Sequence, residues 1–164
     1  MKKNQNILLL GRTGNDKSTL ANVLAGTDVF TEGTNTISET KNIKAVNFEI
    51  NLSEEERIRY RVIDTPGAGD TELTTKEILF RLGKIVNFVE KDGINQIFFV
   101  MKDRFTNEEI EAYKLLGSIF DRDVYKYTTI VKTGFPEFRN EKVCEKDREK
   151  LRNREELKDN TRPD

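Results

Sequence analysis

The 164-residue chain has no histidine and a single cysteine, Cys144. Without histidine there is no imidazole to serve as a general base near neutral pH. One thiol excludes an internal disulfide framework and suits a reducing compartment, so a cytoplasmic location is expected. An excess of one charge sign is also missing. The 28 basic and 29 acidic residues leave a net charge of −1, so no global field favours nucleic acid or an acidic membrane. Long apolar runs are absent too. The opening "MKKNQNILLL" offers only Ile7 to Leu10 before Gly11 and Arg12, too short for a secretory signal. No stretch approaches the ~20 apolar residues of a membrane span. What is present is 35% hydrophobic and 35% charged residues, which describes one domain with a small core and a heavily solvated surface.

Apolar runs alternate with helical patterns along the chain. "NILLL" reads as a buried strand, and "KSTLANVLAG" as a helix turning Leu20, Val23 and Leu24 inward and ending near Gly26. The polar "TDVFTEGTNTISET" that follows reads as a mobile loop. "KNIKAVNFEINL" and "IRYRVIDTPG" form two strands joined by the acidic turn "SEEE". The next helix, "TTKEILFRLGKIVNFVEKDG", puts Ile78, Leu82, Ile85, Val86 and Val89 on one face and closes at Gly93. "INQIFFVMK" is the most apolar strand and so a central one. Thr106 and Glu109 form a capping box that opens a helix running to Phe120, and "YKYTTIVKT" gives a last strand. From Arg139 onward, nine basic and eight acidic residues surround Val143, Leu151 and Leu157, the pattern of a solvated helix with a thin apolar stripe. The expected division is a core over residues 1–138 and a charged helix and tail over 139–164.

This alternation predicts an α/β fold: a mostly parallel sheet covered by helices on both faces, with one antiparallel edge from the hairpin at residues 42–63. Ligands of such sheets bind beyond the carboxyl ends of the strands. Two motifs fall there. Gly11, Lys17 and Ser18 match the phosphate-loop pattern G-x-x-x-x-G-K-[ST], between a strand and a helix. The backbone of such a loop, here Gly11, Arg12, Thr13, Gly14, Asn15, Asp16, Lys17, Ser18 and Thr19, turns its N–H groups and a helix N-terminus toward anionic oxygens. Lys17 would reach the β- and γ-phosphates, and the Ser18 hydroxyl would ligate Mg²⁺. "DTPG" supplies the second half: Asp64 would hold Mg²⁺ through water and the Gly67 N–H would meet a γ-phosphate.

The chain resembles the immunity-associated nucleotide-binding GTPases of the AIG or GIMAP type, relatives of septins. The likeness rests on "GRTGNDKSTLANVLAG", "SETK", "DTPGAGDT" and "RFTNEE", and "SIFDRDVYKYTTIVKT" extends it. It covers residues from about 5 to 150. The resemblance implies a P-loop GTPase fold, bound GTP or GDP with Mg²⁺, and assembly with its own kind or with another protein. It also makes Thr40 the switch threonine that closes on Mg²⁺ when triphosphate is present.

Three departures stand out. Asp16 replaces the second glycine of the phosphate loop. A carboxylate ~4 Å from one phosphate charge costs on the order of 4 kcal/mol at an effective dielectric of ~20, roughly a thousandfold in binding. The sequence leaves open whether Asp16 faces the phosphates, pairs with Lys17, or turns outward as a helix N-cap. Where G domains carry Asn/Thr-Lys-x-Asp to read guanine, this chain has Thr133, Gly134, Phe135 and Pro136, so base identity is carried by the resemblance alone. Phe135 reads as a core residue that could alternatively stack on a base. Finally, the closing strand and helix of the fold are expected to be missing. Ala68 follows Gly67 where a water-orienting glutamine often stands, so intrinsic hydrolysis is expected to be slow. Two functions compete: a GTP-binding switch with weakened phosphate binding, and a degenerate interaction module that kept the fold and lost the nucleotide.

Overall fold

The computed structural model describes residues 3–12, 14–28, 44–51, 53, 57–65, 75–89, 92–154 and 157. Five strands, β1 (Lys3–Leu10), β2 (Lys44–Asn51), β3 (Arg57–Asp64), β4 (Gln96–Lys102) and β5 (Thr128–Thr133), form one sheet in the order β2-β3-β1-β4-β5. β3, β1, β4 and β5 run parallel, and β2 joins the edge antiparallel to β3. The expected α/β architecture with one antiparallel edge is therefore present.

The alternation inside "NILLL" explains the layering. In a strand, successive side chains leave opposite faces of the sheet. Leu8 and Leu10 pack on one face with Ile63, Phe99 and Met101, beneath α2 (Thr75–Val89) and α3 (Asn107–Phe120). Ile7 and Leu9 point the other way and meet Val62 and Ala21, the latter on α1 (Lys17–Ala25). Leu8 and Leu9 are wholly buried, and each contributes about 1.5–3 kcal/mol by leaving water. β4 is interior, as its apolar run predicts, and β5 lies at the edge of the sheet. Among the described residues no strand follows β5.

Several local expectations change. Val23 is exposed, and Ala21 takes its place against the sheet because the helix is rotated to bring Leu20 and Leu24 to the flank of that core. On α2, Leu82, Ile85 and Val89 are buried but Val86 is exposed. Arg122–Tyr127 forms a 3-10 turn, so "YKY" precedes β5 instead of starting it. There the Tyr125 hydroxyl accepts from the Gly117 N–H and packs its ring on Tyr113. α4 (Glu141–Arg152) is solvated, with Val143 and Leu151 half-buried, while Leu157 beyond it is buried in the larger core. The expected loop at residues 27–40 lies mostly outside the described residues.

Candidate functional site

Four strand ends meet at one edge of the sheet. Leu9 pairs with Asp64 across β1 and β3, and Lys102 pairs with Thr133 across β4 and β5. Parallel strands must end on the same side, so the turn after β1 and the segments after β3, β4 and β5 share one crevice.

The turn after β1 is shaped by backbone conformations that side chains resist. Gly11 has φ +149° and passes under the Val100 carbonyl, which a Cβ on Gly11 would strike. Gly14 follows at φ +86°, and the Asn15 N–H closes on the Arg12 carbonyl at 3.3 Å. Asp16 stands at the N-cap of α1 in the left-handed region, at φ 57° and ψ 29°. That conformation accounts for the glycine in the usual pattern, and aspartate is among the few other residues that adopt it.

Asp16 occupies the cap position without acting as a cap, since its carboxylate accepts no bond from the first turn. N-caps ordinarily have extended backbone, which aims the side chain at the N–H groups two or three residues on. The Asp16 carboxylate instead meets the Lys102 ammonium at 3.2 Å. The outward helix N-cap that the sequence left open is therefore not formed, and Lys102 is a partner that sequence reading missed. Lys17 is 6% exposed, and its ammonium donates to the Arg12 carbonyl at 2.8 Å, within the loop.

Asn15 and Thr133 tie the loop to the rest of the site. The Asn15 amide donates to the Val100 carbonyl at 2.9 Å and to Glu109 Oε1 at 2.7 Å, all buried. Glu109 Oε2 accepts from the Thr106 N–H, which completes the capping box expected from "TNEE". The Thr133 hydroxyl lies 3.2 Å from the Asn15 and Met101 carbonyls, so it braces the loop from β5.

The candidate metal ligands also come together. The Ser18 hydroxyl donates to Asp64 Oδ2 at 2.7 Å. Asp64 is buried, and its Oδ1 has no partner among the described residues. A buried carboxylate oxygen without a donor is costly, and a hard divalent cation is a fitting remedy. Among the described residues no three His, Cys, Asp or Glu side chains cluster to hold a metal. Thr65 adds an anchor, its hydroxyl donating to the Leu9 carbonyl at 2.8 Å. Arg12 is half-buried, Gly14 is exposed in the loop, and Thr19 is exposed on α1. Thr13, Thr40 and Gly67 lie outside the described residues.

Phe135 is not a core residue. It lines a cleft of about 430 Å³ with Met101, Phe105, Lys132, Leu151 and Arg154, under the Lys132 ammonium at 4.6 Å. Lys132 is itself paired with Asp147 on α4 at 2.9 Å.

A mostly parallel sheet with a phosphate-type loop after its first strand and a Ser–Asp pair beside it defines a P-loop G domain. Residues 5–156 match the family model described as "AIG1 family", and the chain belongs to that family. It is 30% identical over 135 residues to immune-associated nucleotide-binding protein 7 of Arabidopsis thaliana, covering 81% of this chain and 42% of that protein. The chain thus spans less than half of that relative's length. Its fold is similar to that of Toc33 from Arabidopsis thaliana, crystallised with Mg²⁺ and GMPPNP, at TM-score 0.60 and 18% identity over 98% of this chain and 68% of Toc33. It is also similar to the septin GTPase domain of Chlamydomonas reinhardtii, at TM-score 0.57 and 16% identity over 93% of this chain and 60% of the septin chain. Among the described residues no helix is long and apolar enough to cross a membrane.

Proposed function

We propose that this domain binds a guanine nucleotide, GTP or GDP, together with Mg²⁺, less tightly than a loop with glycine at position 16 would, and that its own hydrolysis of GTP is slow. The observation that carries the reading is the Ser18–Asp64 pair, with a buried Oδ1 that has no partner among the described residues, beside a phosphate-type loop. The family and its nucleotide-binding relatives support it.

In this reading the N–H groups of residues 14 to 19 receive the phosphates at the helix N-terminus. Lys17 exchanges the Arg12 carbonyl for phosphate oxygens, and Thr13 adds its backbone to the cradle. Ser18, Asp64 and, by the resemblance, Thr40 hold the Mg²⁺, while Gly67 meets the γ-phosphate. Bound Mg²⁺ would neutralise phosphate charge beside Asp64 Oδ1, the one buried side-chain oxygen without a partner among the described residues. Thr133 supports the loop from below. Slow hydrolysis follows from Ala68 and from the lack of histidine, since neither supplies a group to orient water. Assembly with a second copy or another protein belongs to the same proposal; for the chloroplast translocon components atToc33 and psToc159, whose fold is similar, dimerization is important for GTPase activity.

Titration of a fluorescent GTP analogue with Mg²⁺, against this protein and its Asp16→Gly form, tests the reading. Binding by both, tighter for Asp16→Gly and displaced by GTP in preference to ATP, is the expected result. Absence of binding by either protein would leave the interaction module as the better account.

A further inference from the structure

The only described acidic side chain inside the phosphate-loop motif is Asp16, and its carboxylate is held by a lysine from another strand. Lys102 is the last residue of β4, and its stem runs beside Gly134, the first residue after β5. A Cβ built on Gly134 would sit 3.4 Å from Lys102 Cε and 3.5 Å from its Cγ, so the bare glycine leaves a floor for the lysine stem. The segment Thr133–Pro136 contributes no lysine of its own. A cation is nevertheless present at this end of the sheet, supplied from β4 and aimed at the loop.

We propose that Lys102 is a positioning residue for anion binding: it neutralises Asp16 and holds its carboxylate toward the β4 side, leaving the first-turn N–H groups of α1 for phosphate. The proposal rests on the nucleotide-binding reading above and deepens it. Two observations point the same way. Asp16 stands at the N-cap yet makes no cap bond, so the helix N-terminus is not blocked by its own carboxylate. The ion pair also joins opposite charges beside the cradle, where an uncompensated carboxylate would repel an incoming polyanion. Both partners are partly exposed, at 44% and 39% for the Lys102 and Asp16 side chains, so the pair adds little to folding and acts mainly on the local potential.

The test is a double-mutant cycle on nucleotide affinity. Lys102→Met and Asp16→Gly are made singly and together, and Lys102→Arg and Lys102→Gln serve as a charge-retaining and a polar neutral comparison. The affinity of the Mg²⁺ complex of a fluorescent GTP analogue is measured at low and high salt. Lys102→Met and Lys102→Gln are expected to weaken binding about tenfold at low salt and clearly less at high salt, with Lys102→Arg close to the parent protein. In the Asp16→Gly background, Lys102→Met should cost at least fivefold less than it does alone. Equal losses in both backgrounds, or a loss insensitive to salt, overturn the proposal and leave the nucleotide reading intact. No binding by any of these proteins, Asp16→Gly included, overturns the nucleotide reading and takes the clasp down with it.

Discussion

The side-chain amide of Asn15 donates to Glu109 Oε1 at 2.7 Å in a buried contact. One residue lies in the turn after the first strand and the other in the first turn of α3. Glu109 therefore does two things at once. It closes the capping box on Thr106, and it fixes the loop whose backbone would face phosphates. The motif "RFTNEE" marks the family in sequence, and in the fold it is a strut beneath the phosphate loop.

Removing that strut should be felt in stability and in binding. Glu109→Ala takes away a helix cap and leaves the Asn15 amide its bond to the Val100 carbonyl but not the one to the carboxylate. The expected cost is about 3 kcal/mol, the sum of a lost cap and of buried donors without partners. Thr106→Ala should cost about 1 kcal/mol. Urea unfolding of Glu109→Ala, Asn15→Ala and the double variant checks the coupling. Strictly additive losses would contradict a shared contact.

Gly11 and Gly14 make a matched pair. A Cβ at Gly11 runs into the Val100 carbonyl, a backbone atom that cannot swing aside, whereas a Cβ at Gly14 meets nothing within 4 Å. Gly11→Ala should cost about 3 kcal/mol or more. Gly14→Ala should cost about 1–2 kcal/mol, from its positive φ alone. Thermal unfolding followed by circular dichroism would rank them, and the reverse order would contradict the close approach of β1's exit to β4.

Alkaline pH should expose the packing of Tyr113. Burial, with a smaller contribution from neighbouring Tyr125, pushes its phenol from 10.0 up to about 12. Below pH 10 the group is protonated in both the folded and unfolded chains and contributes no pH dependence. Between pH 10 and about 12 the unfolded chain releases the proton while the folded one keeps it, so stability falls as pH rises, by up to about 3 kcal/mol. Tyr113→Phe should flatten that fall. An unchanged slope of stability against pH would count against the assignment.

Asp64 should carry the Mg²⁺ dependence of nucleotide binding. With Asp64→Asn the Ser18 hydroxyl keeps an oxygen acceptor, but the charge that would attract the cation is gone. Affinity in Mg²⁺ should fall about tenfold or more, while affinity in EDTA should change little. Ser18→Ala should act in the same direction, more weakly. A variant that retained a full Mg²⁺ response would place the cation elsewhere.

Much of this protein was legible in its residues because the relevant physics is local. The period-2 run at Ile7–Leu10 and the helical spacing of Leu82, Ile85 and Val89 set which faces are buried, and Thr106 with Glu109 marked the start of α3 three residues apart. Gly11, Lys17, Ser18 and Asp64 likewise stood out by their spacing, and the sheet then brought Ser18 to Asp64. Val23 and Val86 were misread because periodicity gives an apolar stripe without its exact rotation against the neighbouring layer. Phe135 was misread for a related reason: hydrophobicity does not tell whether the wall opposite is solid or a cleft.

The sequence by itself determined the kind of domain, since strand–helix alternation and the phosphate-loop pattern are properties of short segments. Only the tertiary structure decided what Asp16 does. Its partner, Lys102, comes from a distant strand, and no periodicity links the two. The parallel register of β1, β4 and β5 carries that lysine to the loop, and the glycine after β5 leaves its stem a place to lie.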